Sequence, residues 1–216
     1  MVRSSIMSRF QTVKWILLFC FVLSVHVSAD PRKIVFLGDS LTAGYQLPVD
    51  QAYPVLIGKM LDRNRWETVN AGISGDTTAG GLSRLNWVLR AHPDIVVVAL
   101  GVNDGLRGTS LWTIQNNLDK MVAKIQDSGA SVVIAGMQLP TNYGPSYRKQ
   151  FARIFAVVAQ KYVVGYIPFL LEGVALKPEF NLSDGLHPNA KGHQIIAQTV
   201  YTGILPVIKR RELGQR

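Results

Sequence analysis

Short apolar runs and longer apolar stripes alternate along this chain. Ile34-Val35-Phe36-Leu37 is unbroken and ends at Gly38, the pattern of a strand buried on both faces. From about Gln51 to Leu61, Tyr53, Leu56, Ile57, Met60 and Leu61 fall on one helical face. Glu67 to Asn70 then reads as a short strand, Leu82 to Arg90 as a helix, and Asp94 to Leu100 as the clearest buried strand, through Ile95-Val96-Val97-Val98. Leu118, Met121, Val122 and Ile125 stripe a helix from Leu111 to Gln126. Ser131 to Met137 predicts a strand, Tyr147 to Lys161 a helix, Val163 to Ile167 a strand, and Asn189 to about Leu205 a closing helix. Strands alternating with helices predict an α/β fold: a three-layer α/β/α sandwich around a central parallel sheet, with right-handed crossovers.

The amino terminus departs from this alternation. Residues Met1 to Ala29 show the three zones of a secretory signal: basic Arg3, Arg9 and Lys14 without an acid, apolar Trp15 to Val25, and small Val27-Ser28-Ala29 for cleavage. The apolar zone falls short of the ~20 residues a spanning helix needs. The expectation is an exported protein, periplasmic or secreted, whose single domain occupies residues 30–216. Cys20 is the only cysteine, and bulky Phe19 before it does not suit lipid attachment, so the exported domain has no disulfide and must stand on its core.

Charge narrows the choice of partner. The formal net charge is +9, and the three leader cations account for part of it, leaving +6. The remaining basic residues are scattered, which gives no nucleic-acid footprint. Only Lys209-Arg210-Arg211 forms a run, read as a solvated tail with transient attraction to anionic lipid surfaces.

In a parallel sheet every strand's carboxyl end faces one edge, where ligands bind, and residues able to do chemistry recur there. Ser40 follows the first strand in Gly38-Asp39-Ser40-Leu41; Asp39 and Ser40 equally suit helix capping. Gly72 follows the second and can present a bare N–H, or simply make a turn. Asn103 follows the third in Gly101-Val102-Asn103-Asp104-Gly105, where it can donate its amide or cap. Asp184-Gly185-Leu186-His187-Pro188 sets a carboxylate three residues before an imidazole, ahead of the last helix. Together they meet the demands of acyl transfer. A serine hydroxyl needs a base, and His187 can take its proton. Asp184 can hold the ring in the required tautomer. The negative oxygen of a tetrahedral intermediate needs fixed donors, for which the Ser40 and Gly72 N–H groups and the Asn103 side chain are available. No glycine-rich phosphate loop follows a strand, so no nucleotide cofactor is expected. His26 falls in the leader, and His92 and His193 have no companions at metal-ligand spacing, so no metal is expected; these two read as surface or packing residues. Trp66, Trp87 and Trp112 read as core or rim.

The motifs resemble those of the SGNH (GDSL) hydrolases: Gly38-Asp39-Ser40-Leu41 as the first block, Gly72 as the second, Gly101-Val102-Asn103-Asp104 as the third, and Asp184 to His187 as the last. Ile73-Ser74-Gly75-Asp76-Thr77, Asn103 to Gly108, Leu139-Pro140 with Asn142-Tyr143-Gly144, and Leu176-Lys177-Pro178 are similar to the exported acyl-CoA thioesterase I, lysophospholipase and arylesterase branch. A flavodoxin-like strand order is the expectation for the sheet, and the resemblance implies a monomeric serine hydrolase without cofactor, acting on small-molecule esters and thioesters of medium to long acyl chains. It implies too that Asp39, the Asp104-Gly105-Leu106 loop, and the Leu139 to Tyr143 segment border a mobile-walled acyl groove. Two alternatives stay open: a polysaccharide deacetylase of the same superfamily, and a flavodoxin-like binding module without catalysis.

Overall fold

The computed structural model describes residues 30–215, so the leader reading, on residues 1–29, lies outside the described residues. Five strands form one parallel sheet: β1 (Arg32–Gly38), β2 (Trp66–Gly72), β3 (Ile95–Ala99), β4 (Ser131–Ala135) and β5 (Gly165–Ile167). Their order is β2-β1-β3-β4-β5, the flavodoxin-like order, with Gly38 beside both Gly72 and Ala99 at the carboxyl edge. β1 and β3 are central, which explains why their apolar runs are unbroken: Ile34 to Leu37 and Ile95 to Val98 are covered on both faces.

Seven helices accompany the sheet: α1 (Ser40–Ala43), α2 (Tyr53–Met60), α3 (Thr78–Leu89), α4 (Val102–Leu106), α5 (Leu111–Asp127), α6 (Pro145–Tyr162) and α7 (Ala190–Glu212). α3, α5 and α6 pack side by side on one face, and α2 packs with α7 on the other. The core is continuous through both layers, from Phe36 and Tyr53 to Phe151 and Phe155. Among the described residues no helix is long and apolar enough to cross a membrane.

Three sequence expectations need correction. Val163 is not in the last strand; it terminates α6 in the left-handed region, φ +53°, and is exposed. The Asp104-Gly105-Leu106 segment, expected as a loop, belongs to α4, which like α1 is too short to show a helical period. The closing helix also continues past Pro206. A proline inside a helix costs about 3 kcal/mol, yet the buried stripe of Ile196, Val200 and Ile204 carries on through Val207 and Ile208. The basic run is therefore the last turn of α7 and not a free tail. Lys209 and Arg210 are exposed, while Arg211 donates to Gly129 O (3.1 Å) and pairs with Asp94 (3.3 Å). Glu212 accepts from Trp66 Nε1 at 3.0 Å.

Candidate active site

The chain leaves β1 through a turn only glycine permits: a Cβ on Gly38 would lie 2.0 Å from Thr42 Oγ1. Asp39 caps α1, its Oδ1 accepting from Leu41 N at 3.0 Å, so Ser40 occupies the first helical position at the sheet's carboxyl edge. Four residues make no stable helix alone, and α1 is held from outside. Thr42 Oγ1 meets Tyr53 Oη at 2.9 Å, Asn70 Nδ2 donates to Thr42 O at 2.9 Å, and Tyr53 N donates to His193 Nδ1 at 3.1 Å. Burial drives the His193 pKa down to about 4, so the ring stays neutral and keeps its acceptor.

Across 147 residues of chain, His187 Nε2 stands 3.0 Å from Ser40 Oγ, and His187 Nδ1 stands 2.7 Å from Asp184 Oδ2, three residues before it. The other Asp184 oxygen accepts from Leu186 N (2.9 Å) and His187 N (3.0 Å). These N–H donors and the imidazole hold the Asp184 pKa down to about 2. Gly185, at φ +68°, lets the loop fold onto its own carboxylate. Leu182 N to His187 O (2.7 Å) and the Asn181–Pro188 bridge close its base, and Asn189 caps α7 behind it. Tyr45 covers the imidazole with ring centroids 4.3 Å apart, a contact no spacing in the sequence announces.

The three donor candidates differ in state. Ser40 N–H donates to no other described residue. Asn103 lies in the first turn of α4, and its Nδ2 donates to Asp76 O (3.0 Å) with Asp39 Oδ2 at 3.3 Å. Gly72 is not bare as expected: its N–H donates to Asn70 Oδ1 at 3.0 Å. Gly72 is glycine because α1 lies against it, a Cβ there coming 2.3 Å from Ala43 N. Asp39 is buried, and desolvation raises its pKa to about 7, with Asp76 adding to the rise. Arg84 balances this acidic corner, reaching Asp76 Oδ2 at 2.8 Å and Gly38 O at 3.0 Å.

Ser40, Asn103 and His187 open onto a cavity of about 450 Å³. Its walls come from α4 (Val102, Leu106), the segment after β4 (Met137 to Thr141), and the segment after β5 (Phe169, Leu171). Leu106 and Leu139 line it. Asp39, Asp104, Gly105 and Tyr143 do not, and each has another task. Asp39 lies beneath Ser40 as its helix cap. Buried Asp104 accepts from Thr78 N (2.8 Å) and Oγ1 (2.7 Å), tying α4 to α3. Gly105 gives room to Phe151 and Leu139, either of which a Cβ would meet within 2.8 Å. Tyr143 clamps α4 from outside through its hydroxyl, 2.9 Å from Leu106 O. Sequence reasoning overlooked Asn70, Arg84 and Arg148, polar side chains outside the motifs. Among the described residues no three His, Cys, Asp or Glu side chains cluster as a metal site.

The chain is similar to several known proteins. Residues 36–195 match the model of the GDSL-like lipase/acylhydrolase family. An arylesterase of Vibrio mimicus is 43% identical over 188 residues, covering 86% of this chain and 92% of that protein. The thioesterase 1/protease 1/lysophospholipase L1 of Escherichia coli K12 is 35% identical over 201 residues, 90% of this chain and 94% of its own. The crystal structure of the psychrotrophic esterase EstA from Pseudoalteromonas sp., inhibited by monoethylphosphonate, superposes with a TM-score of 0.78 at 32% identity, covering 82% of this chain and 99% of that one.

Proposed function

The chain belongs to the GDSL-like lipase/acylhydrolase family and is a serine hydrolase; from that premise we propose that it hydrolyses small acyl esters and thioesters, aryl, coenzyme A and lysophospholipid among them, through an acyl-enzyme on Ser40. The observation that carries this reading is the continuous contact Asp184–His187–Ser40, with separations of 2.7 and 3.0 Å. His187 Nε2 takes the Ser40 proton as Oγ bonds to the acyl carbon. Asp184, accepting from Nδ1–H, leaves Nε2 as the acceptor and stabilises the imidazolium that forms. The carbonyl oxygen, now negative, is received by Ser40 N–H and Asn103 Nδ2, and by Gly72 N–H as it exchanges Asn70 Oδ1 for the substrate. His187 then returns its proton to the departing alcohol or thiol. Water repeats the sequence on the acyl-enzyme, with His187 again as base, and releases the acid.

The apolar cavity supports acyl chains longer than acetyl, as burying each methylene is worth about 0.8 kcal/mol. Residues 1–29 are read as a leader that exports the enzyme. A fluorophosphonate probe tests the reading. The expected result is labelling of the wild type and none of Ser40→Ala; failure to label the wild type favours a binding module. Across p-nitrophenyl esters, activity should rise from acetate to medium chains. A strong preference for acetate would point to a deacetylase.

A further inference from the structure

The cavity runs along the carboxyl edge of the sheet, from Ser40 after β1, past Val102 and Leu106 after β3, to Leu139 after β4 and Phe169 after β5. Its lining contains no Asp, Glu or Lys, and apart from His187 a single ionisable side chain, Arg148 from the first turn of α6. Of the other half-buried arginines, Arg84 pairs with Asp76 and Arg211 with Asp94, while Arg32 lies over the Trp66 ring, far from the cavity lining. Arg148 has no acidic partner among the described residues. One of its five donors is used, Nε to Leu139 O at 2.8 Å. That bond sets the guanidinium plane against the wall beyond β4 and leaves the two terminal amino groups without a protein acceptor among the described residues. A guanidinium so held is a ready fork for two oxygens of a carboxylate or phosphate. β4 lies two strand spacings, roughly 10 Å, from β1, so a fork on the wall beyond β4 stands apart from the serine along the edge.

Resting on the serine hydrolase reading above, we propose that Arg148 is a specificity determinant that selects substrates carrying an anionic oxygen group, carboxylate or phosphate, at a distance from the scissile carbonyl. A neutral chain meets only the apolar walls, whereas a chain or leaving group ending in an anion also satisfies the fork. The anion can come from the far end of the acyl chain or from a phosphorylated leaving group, and matched substrates separate these sources.

For the acyl end, the pair is the p-nitrophenyl half-ester of suberate against p-nitrophenyl octanoate. For the leaving group, it is octanoyl-CoA against octanoyl-pantetheine. Each readout is the ratio of kcat/KM for the anionic over the neutral member. In one of the two pairs this ratio should fall roughly ten- to a hundred-fold in Arg148→Gln, the range of a charge-assisted hydrogen bond. The loss should lie mainly in KM, and Arg148→Lys should retain part of it. Raising the salt concentration should erode the wild-type ratio. The pair that responds identifies the source. If Arg148 only braces Leu139, every substrate slows alike, the ratios of wild type and variants coincide in both pairs, and the proposal is overturned. Fluorophosphonate labelling of Ser40 in each variant separates that outcome from failure of the serine hydrolase reading, which would abolish labelling everywhere.

Discussion

Asn103 shows how one side chain can be both held and available. Its amide sits between Asp76 O and Asp39 Oδ2, at 3.0 and 3.3 Å, and the longer contact is the one a negative substrate oxygen can replace. Asn103→Ala should therefore lower kcat by roughly 10²–10³ with KM nearly unchanged, the loss of one oxyanion donor. A change confined to KM would remove it from that role. His193 makes a different prediction, about stability. Its pKa lies at about 4 in the fold against 6.5 for an ordinary imidazole. Between these values the unfolded chain binds a proton that the folded chain refuses, so stability is complete above the upper value and is lost as pH falls through the window. Urea unfolding from neutral to acid pH should show this fall, and His193→Asn, which keeps an acceptor for Tyr53 N without titrating, should flatten it. Equal slopes in the two proteins would contradict the assignment.

At the scale of elements, the two edges of the sheet have separate duties. Ser40, Asn103 and His187 gather at the carboxyl edge, whereas Arg211 ties α7 to Asp94 and Gly129, which precede β3 and β4 at the opposite edge. Arg211→Ala should cost about 1–2 kcal/mol of stability while leaving kcat on p-nitrophenyl esters unchanged, measured by denaturant titration and initial rates. Loss of kcat in the folded variant would show that the two edges are coupled. Elements with several turns, such as α5, were legible because burial imposes a period on them. α1 and α4 were not, because caps and clamps define them: Asp39 for the first, Tyr143 and the Asp104–Thr78 bonds for the second. Asp104 and Tyr143 illustrate the limit well. A motif marks them as near the site, but only packing decides that one faces α3 and the other braces α4 from behind.

Across the whole molecule, the fold assembles the site by bringing together segments that the order of the chain keeps apart. Ser40 and His187 belong to opposite ends of the described chain, and the parallel sheet with α7 folded back on α2 makes them neighbours. The joint occurrence of Ser, Gly and Asn at the ends of β1, β2 and β3, with Asp-x-x-His ahead of the last helix, made the residue types readable. The state of each donor, including Gly72 bound to Asn70, became visible only in three dimensions. The central claim is that Ser40 and His187 act as one unit, and a double-mutant cycle tests it most directly. With kcat/KM measured on one ester for Ser40→Ala, His187→Ala and the pair, the double variant should be little slower than the slower single variant. Losses that multiply would mean that the two side chains act independently, and the account would fail.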